Sequence, residues 1–130
     1  MRDLVKSLKA LSDETRLRIL NLLLVRECCV CEVMQVLDIS QTRASRNLNI
    51  LYDAGFLKVR REGLWAHYSI DISNLNEYRS LLLDAVEVGL HQDAIASKDR
   101  EHLKEVRPTG TKCCSPDSPT HIYKLSQQNG

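Results

Sequence analysis

Three features of this 130-residue sequence predict a mainly α domain with a small β-hairpin. Apolar residues recur at helical spacing in four successive segments up to residue 55. A period-2 stretch broken at Glu62-Gly63 comes next, and a long apolar-striped segment starts near Asn74.

Leu4, Val5, Leu8 and Leu11 place a short amphipathic helix over residues 2 to 11. Ser12 or Asp13 can cap the next helix, where Asp13 and Glu14 favour the positive end of the helix dipole. Leu17, Leu20 and Leu24 predict its buried stripe, and it ends near Val25. Val30, Val33, Val36 and Leu37 set a third helix that stops at Asp38-Ile39-Ser40. Ser40 caps a fourth, with Ala44, Leu48, Leu51 and Tyr52 expected on one face and Gly55 as its C-terminal stop. Two helices joined by so short a turn outline a helix-turn-helix. Leu57 and Val59 alternate into the Glu62-Gly63 turn and Ala66, Tyr68 and Ile70 alternate back, a hairpin of the kind called a wing. The expected architecture is a winged helix-turn-helix.

A last long helix is expected from Asn74 as cap, with Glu77 three residues later in capping-box spacing. Its stripe of Leu75, Tyr78, Leu82, Ala85, Val86 and Gly89, widened by Leu81 and Leu83, exceeds what a terminal helix can cover on so small a domain. A homodimer is therefore expected, with Leu4, Leu8, Leu75, Tyr78, Leu82, Ala85 and Val86 as candidate dimerisation residues.

The formal charge of +1 argues against wholesale non-specific binding to DNA, but the average hides the distribution. Between Ser40 and Trp65, Arg43, Arg46, Lys58, Arg60 and Arg61 outnumber the acids Asp53 and Glu62 by three. On the predicted recognition helix Gln41, Thr42, Arg43, Ser45, Arg46 and Asn49 lie off the apolar face, near the end that enters a major groove. Arg suits guanine, Gln or Asn suits adenine, and Ser or Thr commonly holds phosphate. Arg60 and Arg61 are placed at the hairpin tip, for a phosphate or the minor groove. Operator double-stranded DNA is the expected partner. Residues 1–92 then form the DNA-binding and dimerisation domain, and 93–130 a charged helical extension with a flexible cysteine-containing tail.

The longest apolar run, Ile19 to Val25, is too short to span a membrane, and the charged N-terminus does not read as a signal peptide. A cytoplasmic protein with reduced thiols is expected, with no membrane partner. Five cysteines is an odd number, and the adjacent pairs Cys28/Cys29 and Cys113/Cys114 make poor disulfide frameworks, so metal, metalloid or redox chemistry is the better reading. Cys28, Cys29 and Cys31 occupy three of four positions beside Arg26, Glu27 and Glu32, unlike an isolated structural cysteine. Cys28-x-x-Cys31 also has the spacing of a redox dithiol or half a zinc site. A dithiol enzyme would need a βαβ context that the helix pattern does not supply, so no enzymatic activity is expected.

"LKALSDETRLRILNLLL" followed by "CVCEVMQVLDISQTRASRNLNILYDAGFLKVRREGLWAHYSI" resembles the ArsR/SmtB family of winged-helix, metal-responsive repressors, over about residues 3 to 90. "CVC" at the start of the third helix points to its arsenic-responsive branch. The resemblance implies a homodimer that binds an operator and releases it when As(III) or Sb(III) binds thiolates as inducer, with no organic cofactor. The best-known arsenic pattern, Cys-Val-Cys-Asp-Leu-Cys, aligns with Cys29, Val30, Cys31, Glu32, Val33 and Met34. Two thiols match, and the third position holds a neutral thioether.

Trivalent arsenic is soft, prefers thiolates and takes three. Cys28 is the first choice for the missing ligand, because Cys28 and Cys31 at i, i+3 would share a helical face. Cys113 or Cys114 in the tail is the rival, or a separate site. Zinc sensing on the last helix lacks the paired spacing: Asp84, Glu87, His91 and His102 are scattered, and His67 reads as a packing residue. A thiol-oxidation sensor and a zinc- or cadmium-responsive repressor of the same fold remain as alternatives.

Overall fold

The computed structural model describes residues 1–106. The chain runs through α1 (Arg2–Leu11), α2 (Glu14–Val25), β1 (Cys28–Cys29), α3 (Val30–Leu37), α4 (Gln41–Asp53), β2 (Leu57–Glu62) and β3 (Trp65–Ile70). A 3-10 turn (Ile72–Asn74), α5 (Glu77–Leu90) and α6 (Ala94–Glu105) follow. This is the expected mainly α, winged helix-turn-helix class. Among the described residues no helix is long and apolar enough to cross a membrane.

Short polar side chains start the helices by accepting otherwise orphaned backbone N–H groups. Asp13 accepts from Arg16 N at 3.0 Å, Ser40 from Arg43 N at 3.1 Å and Asp93 from Ala96 N at 3.0 Å. Each such cap contributes about 1 kcal/mol. The expected cap at Asn74 is corrected. Asn74 ends the 3-10 turn with its amide donating to the Asp71 carboxylate at 3.1 Å, and Asn76 caps α5 by accepting from Arg79 N at 2.9 Å.

The core lies where α2, α3, α4 and the sheet meet, with Ile19, Leu20, Leu22, Leu48, Leu51 and Phe56 fully buried. The Leu17/Leu20/Leu24 stripe was too narrow a reading of α2. Ile19, Leu20, Asn21, Leu22 and Leu23 are all buried, while Leu17 and Leu24 are half-buried, because α4, α5, α6 and β3 cover α2 from several sides. On α4, Ala44, Leu48 and Leu51 face inward as expected, but Tyr52 is 47% exposed. Gly55 closes α4 at φ +93°, and a Cβ there would meet the Arg79 guanidinium at 2.8 Å, so a side chain is excluded both by conformation and by space.

The wing acquires a third strand that the periodicity did not announce. The order is β1-β3-β2, all antiparallel, with Cys28 opposite Tyr68, Cys29 opposite His67 and His67 opposite Arg60. Gly63 at φ +62° turns the hairpin just beyond Glu62.

Helix α6 is docked by polar contacts. Arg18 forks onto Asp99 at 2.7 and 2.9 Å, a pairing that raises the arginine's pKa. Buried Asn21 donates to Ala96 O at 3.0 Å and accepts from Arg100 at 2.7 Å, while Arg100 also donates to His91 O at 2.8 Å. These bonds hold α6 against α2 and close the end of α5.

Candidate functional site

Alternation along β1 divides the three clustered cysteines. Successive strand residues project to opposite faces. Cys28 enters the main core and is 0% exposed; Cys29 and Cys31 form a separate buried cluster against Trp65. The Cys29 and Cys31 Sγ atoms lie 3.1 Å apart.

Cys29 is the N-cap of α3, and its N–H donates to Glu32 Oε1 at 2.7 Å. Glu32 is 0% exposed and forms an ion pair with Arg26 at 3.1 Å. Arg26 also donates to Val106 O, just past α6, at 3.1 Å. One arginine thus connects the cysteine corner to the end of the last described helix.

The expectation that Cys28 and Cys31 share a helical face is corrected. Cys28 lies in β1 before α3 begins, and its thiol is 3.5 Å from Arg26 O, to which it donates. Burial, reinforced by Glu32, pushes the Cys28 thiol up to about 12, so it keeps its proton at neutral pH. Among the described residues no three His, Cys, Asp or Glu side chains group as a metal site. Cys113 and Cys114 lie outside the described residues.

On α4, Thr42, Arg43, Arg46 and Asn49 are exposed, and Gln41 and Ser45 partly so. Ser45 Oγ is itself buried with no hydrogen-bond partner. Arg43 donates to Thr15 Oγ1 at 2.9 Å, tying the start of α4 to α2. The placement of Arg60 at the hairpin tip is corrected: it lies within β2 and is held by Glu27 at 2.7 Å and Glu62 at 2.9 Å. Arg61 is exposed one residue nearer the turn. The hydrogen bond from Arg60 holds the Glu27 carboxyl below its usual range. His67 is 3% exposed, its Nε2 makes no hydrogen bond and lies 3.8 Å from Glu62 Oε1, and burial followed by the charge of Arg60 lowers its pKa.

The candidate dimerisation residues fall on α1 and α5, except that Leu75, expected on the last helix, lies just before α5 begins. On α1, Leu4 is 41% and Leu8 46% exposed. On α5, Ala85 is exposed, Tyr78 and Val86 are half-buried and Leu82 packs against the core, as does Leu75 ahead of the helix; Leu83 is the buried residue of α5. Leu81 and Val88 extend the exposed apolar surface.

Sequence reasoning missed Glu27, Arg26, Glu32 and Trp65 as members of this corner. Opposite charges flanking the cysteines were the available signal for the first three.

A model of the arsR family of bacterial regulatory proteins matches residues 13–59. A cadmium resistance transcriptional regulatory protein CadC homolog of Staphylococcus aureus is 38% identical over 96 residues, covering 73% of this chain and 74% of that protein. The chain belongs to the arsR family. The arsenical resistance operon repressor of Escherichia coli K12 is 43% identical to this arsR-family protein over 67 residues, 51% of this chain and 57% of the relative. The arsenic resistance transcriptional regulator ArsR1 of Pseudomonas putida is 45% identical over 64 residues, 48% and 49%. The chain thus spans about half the length of these two arsenic-named relatives.

Among solved structures, HlyU from Vibrio cholerae superposes with a TM-score of 0.60 at 27% identity, covering 70% of this chain and 95% of that one. The homodimeric winged helix-turn-helix DNA-binding domain of a possible ArsR-family regulator from Mycobacterium bovis gives 0.59 at 30% identity, covering 72% and 82%. Family and fold together make this protein a DNA-binding transcriptional regulator.

Proposed function

We propose that this arsR-family protein is an As(III)/Sb(III)-responsive repressor that binds operator DNA as a homodimer and releases it when the metalloid bonds to Cys29, Cys31 and a third thiolate. The observation that carries the reading is the Sγ to Sγ separation of 3.1 Å at the N-cap of α3, the helix that precedes the recognition helix α4. Metalloid–sulfur bonds at a helix N-cap change that turn's backbone, and α3 packs against α4. A ligand that binds best to a state that fits DNA badly lowers operator affinity, and the linkage is reciprocal. Tenfold weaker binding needs about 1.4 kcal/mol of coupling.

Homodimerisation would cover the exposed Leu4 and Leu8 on α1 and Leu81 and Val88 on α5. Gln41, Thr42, Arg46 and Asn49 are the proposed base- and phosphate-reading residues, with Ser45 at their margin, Arg43 positioned by Thr15 and Arg61 reaching from the wing.

For the third thiolate, Cys28 is disfavoured because it faces the main core, away from the Cys29/Cys31 cluster, and a tail thiol is favoured. Cys113 follows Val106 by seven residues, a reach of roughly 24 Å at about 3.5 Å per residue. Val106 is itself held by Arg26 beside the cysteine corner.

The test is operator release measured by gel shift with each cysteine replaced singly by serine. Release by arsenite in the parent, lost in Cys29→Ser and Cys31→Ser, is expected; full release in Cys29→Ser would sink the site. The similarity to a cadmium resistance regulator favours a second reading, in which the soft cation Cd(II) occupies the same thiolates. Release by cadmium without release by arsenite would decide for it.

A further inference from the structure

We propose that Glu27 and Arg60 form a brace that couples the cysteine corner to the wing, so that Arg60 positions β2 rather than contacting DNA. The coupling part of this proposal rests on the metalloid-responsive reading above.

β1 and β2 are the outer strands of the sheet and share no backbone ladder, because β3 lies between them. Cys29, His67 and Arg60 make one row across the three strands, and residues directly opposite one another project to the same face. Glu27 stands two residues before Cys29. Arg60 reaches over the middle strand to its carboxylate with a two-point fork, Nη2 to Oε1 at 2.7 Å and Nε to Oε2 at 3.2 Å. The remaining nitrogen, Nη1, donates to Glu62 Oε1 at 2.9 Å.

Two consequences follow from this geometry. A guanidinium engaged by two carboxylates has little net charge left to offer a phosphate, although its side chain is 50% exposed. A planar fork also fixes direction as well as distance, which a lysine at the same place would not do. The brace therefore holds the strand that carries Cys29 in register with the strand that carries Arg61. Bonds to a metalloid at Cys29 move the α3 N-cap, and Glu27 carries that movement to the wing.

The first test is operator affinity across a salt series. Each phosphate contact contributes about 0.9 to the slope of log affinity against log salt. Arg60→Gln is expected to change the slope no more than Glu27→Gln, which breaks the same brace but leaves the Arg60 cation in place, whereas Arg61→Gln lowers it by about 0.9. A fall of that size in Arg60→Gln that Glu27→Gln does not share overturns the brace, and this arm needs no metalloid.

The second test takes the ratio of operator dissociation constants with and without arsenite, while arsenite binding is read from fluorescence of Trp65, the chain's single tryptophan, which packs on Cys29 and Cys31. Glu27→Gln should shrink the ratio by about fivefold with the Trp65 titration unchanged, as expected for loss of roughly 1 kcal/mol of coupling. Glu27→Asp, which keeps the carboxylate, should restore most of it. An unchanged ratio in Glu27→Gln overturns the proposal. A parent protein in which arsenite alters neither Trp65 emission nor operator binding refutes the metalloid reading instead, and leaves the role of Arg60 to the salt slopes.

Discussion

The two faces of β1 give neighbouring cysteines different chemistry. Cys28 points into the main core opposite Tyr68, donates to Arg26 O and holds its proton to about pH 12. Cys29, one residue on, caps α3 and meets Cys31 and Trp65 in a small cluster of its own. The residue type is the same, so the difference comes from strand alternation and from what covers each face. A thiol whose burial in the core outweighs the nearby charge of Arg26 is a packing residue. A thiol beside a second sulfur at a helix N-terminus is a candidate ligand.

The largest effect expected from this contrast is on induction. Cys29→Ser should abolish arsenite-driven operator release in a gel shift, whereas Cys28→Ala should retain it within about threefold, a shift of under 1 kcal/mol. Equal losses in both variants would erase the distinction between the faces.

Next comes the carboxylate that organises the Cys29 side. Glu32→Gln removes the charge from a fully buried partner of Arg26. It should cost about 3 kcal/mol in urea unfolding, the lower end for breaking a buried ion pair because Arg26 keeps some contact with water.

On the core side, Cys28→Ala should cost about 1 to 2 kcal/mol, through lost packing. The same residue predicts a pH dependence. Its folded pKa is raised from 9.0 to about 12, so its contribution to stability is complete below pH 9 and is lost as pH climbs from 9 towards 12, where the unfolded thiol ionises first. Thermal melts between pH 8 and 11 should show a shallower decline in Cys28→Ala than in the parent. An identical decline would mean that Cys28 ionises normally.

The order of helices, the caps at Asp13 and Ser40, the turn at Asp38-Ile39-Ser40 and the hairpin were legible because each rests on local chemistry: apolar period, a short polar cap, a glycine. The corner around Cys29 was legible in part. The "CVC" pair marked it, but β1 is two residues long, too short for a period to register. Asn74 and Asn76 are both credible caps on spacing, and the Asp71 side chain decides between them by occupying the Asn74 amide. Arg60 looked like a DNA contact because its partner Glu27 lies 33 residues away.

By itself the sequence determined a winged helix-turn-helix and a cluster of thiols at the entrance to its third helix, since periodicity and caps act within a few residues. The tertiary structure decided which of those cysteines share a face and that Arg60 is already engaged. Both depend on strand pairing and ion pairs between segments far apart in the chain, where no local rule reaches.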